Sequence, residues 1–318
     1  MEIISNPSQD EIKEVAKALK DGHLVAFPTE TVYGLGADAT NEKAVRRIYS
    51  VKSRPADHPL IVHISSINQV YRWARDIPEY AIKLAKEFWP GPMTLIFKRS
   101  NLAKDFITGA QDNVGLRVPL NSIAIALLNE FEKLNGFGIA APSANRFGGV
   151  SSTTASAVVD ELAMYLGKKD LILDGGQSLI GVESSIIDCT AMTPAILRPG
   201  AVTEDMISSI IDWPLTFDTK RTQVKASGLL DSHYSPKARV ILNITPKPGE
   251  GFIAMANIPT PNGAIRLASP ATITEFSYVL YSSLRLADQA NINVVSVTLP
   301  EPGGLGDAII DRLNRAKS

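Results

Sequence analysis

Apolar residues recur at helical spacing near the start of the chain, where Ile12, Val15, Ala16 and Leu19 share one face. Ser8 and Glu11 precede that face at the S-x-x-E spacing of a capping box, and Gly22 supplies a C-terminal stop. The period then shortens. Leu24-Val25-Ala26-Phe27 is a continuous apolar run that predicts a short buried strand, ended by Pro28, which has no N–H for a ladder. Thr29-Glu30-Thr31-Val32-Tyr33-Gly34-Leu35-Gly36 follows, expected as a hydroxyl-rich connection whose glycines allow tight turning. A helix is predicted over Asn41–Tyr49, an irregular loop over Val51–Pro59 and a strand over Leu60–Ile64.

The alternation continues. Helices are predicted over Pro78–Phe88, Ile123–Leu134, Thr153–Leu166 and Glu204–Ile211, and strands over Met93–Phe97, Val114–Val118, Leu171–Leu173, Ser185–Ile187 and Ala195–Leu197, while Gly138–Ala141 leads into the loop Pro142–Asn145. From Asp212 periodicity fades into polar, glycine and proline residues, the composition of a linker. It restarts with strands at Val240–Leu242, Phe252–Met255 and Val294–Val297 and helices over Thr274–Ala290 and Asp307–Ala316. The expected organisation is an α/β domain over 1–211, a linker over 212–238 and a small α/β domain over 239–318.

Composition narrows the function classes. The 318 residues are 45% apolar and 20% charged, enough for a real core and unlike a disordered chain. A net charge of -1 argues against a dedicated nucleic-acid coat. The one cysteine, Cys189, has no disulfide partner and lies in an apolar run, as strand filler does. The N-terminus is acidic and amphipathic rather than signal-like, and no apolar run approaches membrane-spanning length, so a cytoplasmic location is expected.

Candidate chemistry lies in the cations and small-residue loops. Lys52 and Arg54 share one proline-rich loop, with His58 just beyond and His63 on the next strand. Such cations either fix phosphate and carboxylate groups or form a solvated charge run. Arg117 lies on an apolar strand and Arg198 ends another, so each needs a buried partner or an anionic ligand. Pro142-Ser143-Ala144-Asn145, Gly148-Gly149-Val150-Ser151 and Val182-Glu183-Ser184-Ser185 offer hydroxyls and approachable backbone N–H groups. The sequence contains no Walker loop, no H-E-x-x-H, no G-x-S-x-G elbow and no Cys/His cluster. Gly34-Leu35-Gly36-Ala37-Asp38-Ala39 matches the dinucleotide fingerprint but follows its strand at too great a distance.

Together, Pro28–Leu35, Lys52-x-Arg54 and Ser143-x-Asn145 resemble the YrdC-like threonylcarbamoyl-AMP synthases, and His233-Tyr234-Ser235-Pro236-Lys237-Ala238 with the α/β tail resembles their long, two-domain form. The resemblance implies a twisted, mixed sheet wrapped by helices around a basic concave site, followed by a small Rossmann-like unit. It implies a reaction in which L-threonine, bicarbonate or CO2, and ATP give threonylcarbamoyl-AMP and pyrophosphate. The product passes to a tRNA threonylcarbamoyl transferase complex, which modifies the adenosine beside the anticodon.

The same resemblance assigns Thr31, His63, Arg117, the Ala141 backbone and Ser184 to threonine. It assigns Arg54, His58, Asn113, Ser143, Ser151 and Arg198 to ATP. Lys52 joins Arg54 at the phosphates, and Asn145 shapes its loop. Mg²⁺ is expected on the triphosphate, with no metal ligand from protein side chains. Tyr234 is either a lid over the nucleotide, on a linker running back over the site, or an ordinary linker aromatic. His58 stands where many relatives carry lysine. The alternative function is an RNA-binding module using the same basic concavity, with weak RNA contact as its minimal form.

Overall fold

The structure, a computed structural model, describes residues 1–211, 228 and 233–317. Most of the expected linker therefore lies outside the described residues. The strands are β1 (Glu2–Ser5), β2 (Val25–Phe27), β3 (Gly34–Asp38), β4 (Ile61–His63), β5 (Ala74–Arg75), β6 (Met93–Arg99), β7 (Asn113–Arg117), β8 (Ile139–Ala140), β9 (Leu171–Asp174), β10 (Ser185–Asp188), β11 (Ala195–Arg198), β12 (Arg239–Leu242), β13 (Gly251–Ile253), β14 (Ile265–Ala268) and β15 (Val294–Val297). The first eleven form one mixed sheet in the order β1-β9-β2-β3-β8-β4-β7-β6-β10-β11, with β5 beside β6. The last four form an all-parallel sheet in the order β12-β15-β13-β14. The expected mixed α/β fold with a smaller parallel α/β unit is the fold observed.

The capping box predicted for the first helix is present: Ser8 accepts from the Glu11 N–H and Glu11 reaches back to the Ser8 N–H, opening the helix Gln9–Lys20. Its face of Ile12, Val15, Ala16 and Leu19 is buried against Leu127, Leu128 and Phe131. Cys189 is buried at the end of β10, its N–H donating to the Ile96 carbonyl. Among the described residues no helix is long and apolar enough to cross a membrane.

Three local expectations change. The Gly34–Gly36 stretch is not a turn but strand β3, antiparallel to β2 and β8. Its glycines answer to packing: a Cβ on Gly36 would lie 2.7 Å from the Ile139 side chain and 2.8 Å from the Phe27 ring. The second helix runs on to Lys52, because its stop is the left-handed Ser53 (φ 52°) rather than the later prolines. The helix expected over Thr153–Leu166 is Ala155–Leu162, capped by the Thr154 hydroxyl on the Ala157 N–H.

Candidate active site

Pro28 releases the chain from β2 into a turn that Thr29 organises. Its hydroxyl donates to the Val32 carbonyl at 2.6 Å and accepts from the Thr31 and Val32 N–H groups. The turn thereby presents Glu30 and Thr31 to Arg117 at the end of β7. The guanidinium is 2.6 Å from the Glu30 carboxylate and donates to the Thr31 hydroxyl at 2.9 Å and to the Gly91 carbonyl at 3.3 Å. Both charged side chains are buried, so each neutralises the other. Beside them on β4, the His63 ring packs edge-on to Phe27. Burial, followed by the nearby Arg117 charge, lowers its pKa to about 3, so the imidazole is neutral at pH 7. Its Nδ1 has no hydrogen-bond partner among the described residues.

The signature lysine and arginine diverge. The Lys52 ammonium is enclosed and donates to the Ser143 carbonyl at 2.6 Å and to the Asn145 carbonyl, while its own carbonyl accepts from the Phe147 N–H. It fixes the Ser143–Asn145 loop from below and does not line the cavity. Arg54 does line it, donating to the Pro59 carbonyl at 3.0 Å and lying over the Phe147 ring. Burial lowers the Arg54 pKa to about 10, leaving it charged at neutral pH. Ser143 is held against β3 by a bridge to Gly34.

On the opposite wall, β10 and β11 bring Ser184 and Arg198 together. Arg198 donates to the Ser184 carbonyl at 3.0 Å and to its hydroxyl at 3.2 Å. Glu183 lies next to them, and its carboxylate accepts from the Ser151 hydroxyl, from Tyr281 at 2.9 Å and from Arg312 at 2.8 Å. Burial pushes its pKa up, but Arg312 and Arg198 outweigh this and hold the carboxyl at about 2. Tyr234 completes this side: it is buried, stacked on Tyr281 at 5.8 Å and lies under the Arg312 guanidinium. Its hydroxyl has no hydrogen-bond partner among the described residues. His233 packs on Tyr234, and burial lowers its pKa to about 3.

One cavity of about 50 Å³ joins these walls. Thr31, His63, Arg117, Ala141 and Ser184 of the expected threonine set line it, as do Arg54, Ser143, Arg198 and Tyr234 of the expected ATP set. Lys52, His58, Asn113, Asn145 and Ser151 do not. His58 instead packs edge-on to Phe147, and Asn113 opens β7 opposite Lys98. Asn145 ties its own loop, donating to the Arg146 and Gly149 carbonyls.

Sequence reasoning missed Glu30, Glu183, His233, Tyr281 and Arg312 as parts of these walls. Arg312 had a legible signal. It falls on the apolar face of its helix with Ala308, Ile309, Leu313 and Ala316, where an unpartnered arginine would be costly.

Comparison with known proteins gives the same result at both ends of the chain. Residues 17–200 match the Sua5/YciO/YrdC family model, described as "Telomere recombination". Residues 202–318 match the model described as "Threonylcarbamoyl-AMP synthase, C-terminal domain". The chain is 39% identical to the threonylcarbamoyl-AMP synthase of Pyrococcus abyssi, over 96% of this chain and 93% of that one. It is 35% identical to the Bacillus subtilis threonylcarbamoyl-AMP synthase, over 99% and 94%. The crystal structure of P. abyssi Sua5 complexed with L-threonine superposes with a TM-score of 0.88 at 36% identity, covering 99% of this chain and 97% of that one. With arginines from β7, β11 and the loop after Lys52 converging on one cavity, and relatives of this kind matching from end to end, the chain belongs to the Sua5/YrdC family of threonylcarbamoyl-AMP synthases.

Proposed function

We propose that this protein makes threonylcarbamoyl-AMP from L-threonine, bicarbonate or CO2, and ATP, for threonylcarbamoyladenosine formation in tRNA. The observation that carries the reading is the meeting of Arg54, Arg117 and Arg198 in one buried cavity. The threonine amine adds to CO2 and loses a proton, giving a carbamate. A carbamate oxygen then attacks the α-phosphorus of ATP, and the bond to pyrophosphate breaks. Such a transfer is governed by positioning and by neutralising charge, which needs cations and backbone donors rather than a protein nucleophile.

In this reading Arg117, preset by Glu30, takes the threonine carboxylate, with Thr31, neutral His63, the Ala141 backbone and Ser184 around it. Arg54, Ser143 and Arg198 take ATP, with Ser151 supporting them through Glu183. His58 and Asn113 join that set only if nucleotide binding draws their segments inward. Lys52 and Asn145 act on the loop that carries Ser143. Among the described residues no group of three or more His, Cys, Asp or Glu side chains is placed to hold a metal ion. Glu183, which lines the cavity, and Glu30, beside the lining Arg117, are both engaged by arginine. In this reading Mg²⁺ enters as part of the substrate, on the triphosphate oxygens, where it spreads the charge that the arginines also meet.

Residues 1–211 act as the catalytic unit and 239–318 as an auxiliary one. A cavity of about 50 Å³ holds only a few waters. Substrates therefore enter as Tyr234, which lines the cavity, moves aside. Its return excludes water from a labile mixed anhydride. This enclosure disfavours the RNA-binding alternative, because single-stranded RNA tracks an open basic groove. The product leaves for a separate tRNA-modifying transferase complex.

Pyrophosphate release from ATP that requires both threonine and bicarbonate is the deciding measurement. Arg54→Ala should lower that rate by about 10²-fold or more, the usual cost of losing a preorganised donor. An RNA-binding module gives no release, and wild-type turnover in Arg54→Ala would overturn the site assignment.

A further inference from the structure

The helices Ile273–Gln289 and Leu305–Ala316 of the smaller unit touch the large unit in a consistent way: they hold the neighbours of the proposed ligand residues. Arg312 binds the Glu183 carboxylate and donates to the Glu183 carbonyl at 3.3 Å and the Pro199 carbonyl at 3.0 Å. It thereby stitches together the residue before Ser184 and the residue after Arg198. Arg285 donates to the Val150 carbonyl and the Ser152 hydroxyl, on either side of Ser151, and pairs with Glu161 at 2.9 Å. Tyr281 adds its hydroxyl to Glu183 and its ring to Tyr234.

The contact beneath them is continuous. Val32, Val150, Val182 and Tyr234 share one apolar cluster with Phe276, Leu280 and Leu284. At Gly181 (φ +82°) backbone meets backbone, since a Cβ there would lie 2.2 Å from the Ser277 carbonyl oxygen. A rigid seam of this kind transmits position because packed interiors do not deform smoothly.

We propose that the smaller unit is a positioning frame for the nucleotide side of the site and that Arg312 is its central positioning residue. This rests on the adenylyl-transfer reading above. Arg312 touches no reacting atom in that reading; it sets the Ser184–Arg198 wall and the seat of Tyr234. Of the residues proposed for threonine only Ser184 stands on that wall; Thr31, His63 and Arg117 are built without Arg312, so the frame acts on ATP more than on threonine.

The test uses the full chain. Arg312→Met alone leaves Glu183 buried and unpaired and risks unfolding. The informative variant is therefore Glu183→Gln with Arg312→Met, which removes both charges together. Arg312→Lys keeps the charge but loses the planar fork. In pyrophosphate-release assays we expect the double variant to raise KM for ATP about tenfold and lower kcat, with Arg312→Lys intermediate. Threonine affinity measured without ATP should change less than threefold, and thermal unfolding should remain cooperative. A folded double variant with wild-type KM for ATP and kcat overturns the proposal. So does an equal loss of ATP and threonine affinity, which marks general damage. If the wild-type chain releases no pyrophosphate, the reaction assignment is what fails. Calorimetric binding of a non-hydrolysable ATP analogue to the same variants still decides the frame.

Discussion

The two walls of the cavity are each anchored by a buried arginine–glutamate pair, yet the pairs have opposite reach. Arg117–Glu30, at 2.6 Å, closes within the large sheet, between the turn after β2 and the end of β7. Arg312–Glu183, at 2.8 Å, joins the large unit to the last helix of the small one. Apart from Ser184, the wall proposed for threonine is thus built within the large unit, whereas the wall proposed for the nucleotide is finished from outside it. The difference teaches that a site with two substrates can be built with unequal dependence on a second unit.

The strongest way to break the comparison is to remove Glu30. Glu30→Ala leaves Arg117 charged in a buried place, which should cost about 3–5 kcal/mol of stability. Denaturant unfolding checks this, and threonine binding should fall while any residual binding of an ATP analogue persists. If threonine and analogue binding fall together, the two walls are not independent.

A change of pH probes both walls at once, since His63 stands on one and His233 on the other. Both are held neutral by burial, with pKa values of about 3 against an ordinary 6.5. Below pH 6.5 the unfolded chain binds protons that the folded one refuses, so stability is full above 6.5 and falls as pH drops towards 3. The slope should approach about 1.4 kcal/mol per pH unit for each histidine. Unfolding midpoints from pH 7.5 to 5 test it. His63→Gln should remove about half the slope, and an unchanged slope would refute the assignment.

The smallest effect should come from Tyr234→Phe. The hydroxyl has no partner among the described residues, whereas the ring stacks on Tyr281 and lies under Arg312. Its loss should change stability by less than about 0.5 kcal/mol. A larger change in unfolding free energy would show that the hydroxyl is held in the resting protein.

Much of this arrangement was legible in the sequence because it follows local rules. The capping box at Ser8, the apolar strand before Pro28 and the lone arginines at strand ends each carry their own signal. What escaped depended on distant partners. Gly34 and Gly36 resemble a turn until Ile139 and Phe27 are seen packed against Gly36. Lys52 looks like a phosphate ligand until two loop carbonyls claim its ammonium. Glu183 reads as part of a small-residue loop, and only tertiary contact reveals the arginine more than a hundred residues later that fixes it.

The single thiol offers a built-in clock for these experiments. Cys189 is shut inside the sheet, and burial beside Asp188 raises its pKa well above that of a free thiol. A thiol-reactive dye added to the native protein should therefore label it only when the large sheet opens. Every variant described above carries its own internal reporter of global integrity, with no label to engineer and no competing sulfhydryl to remove.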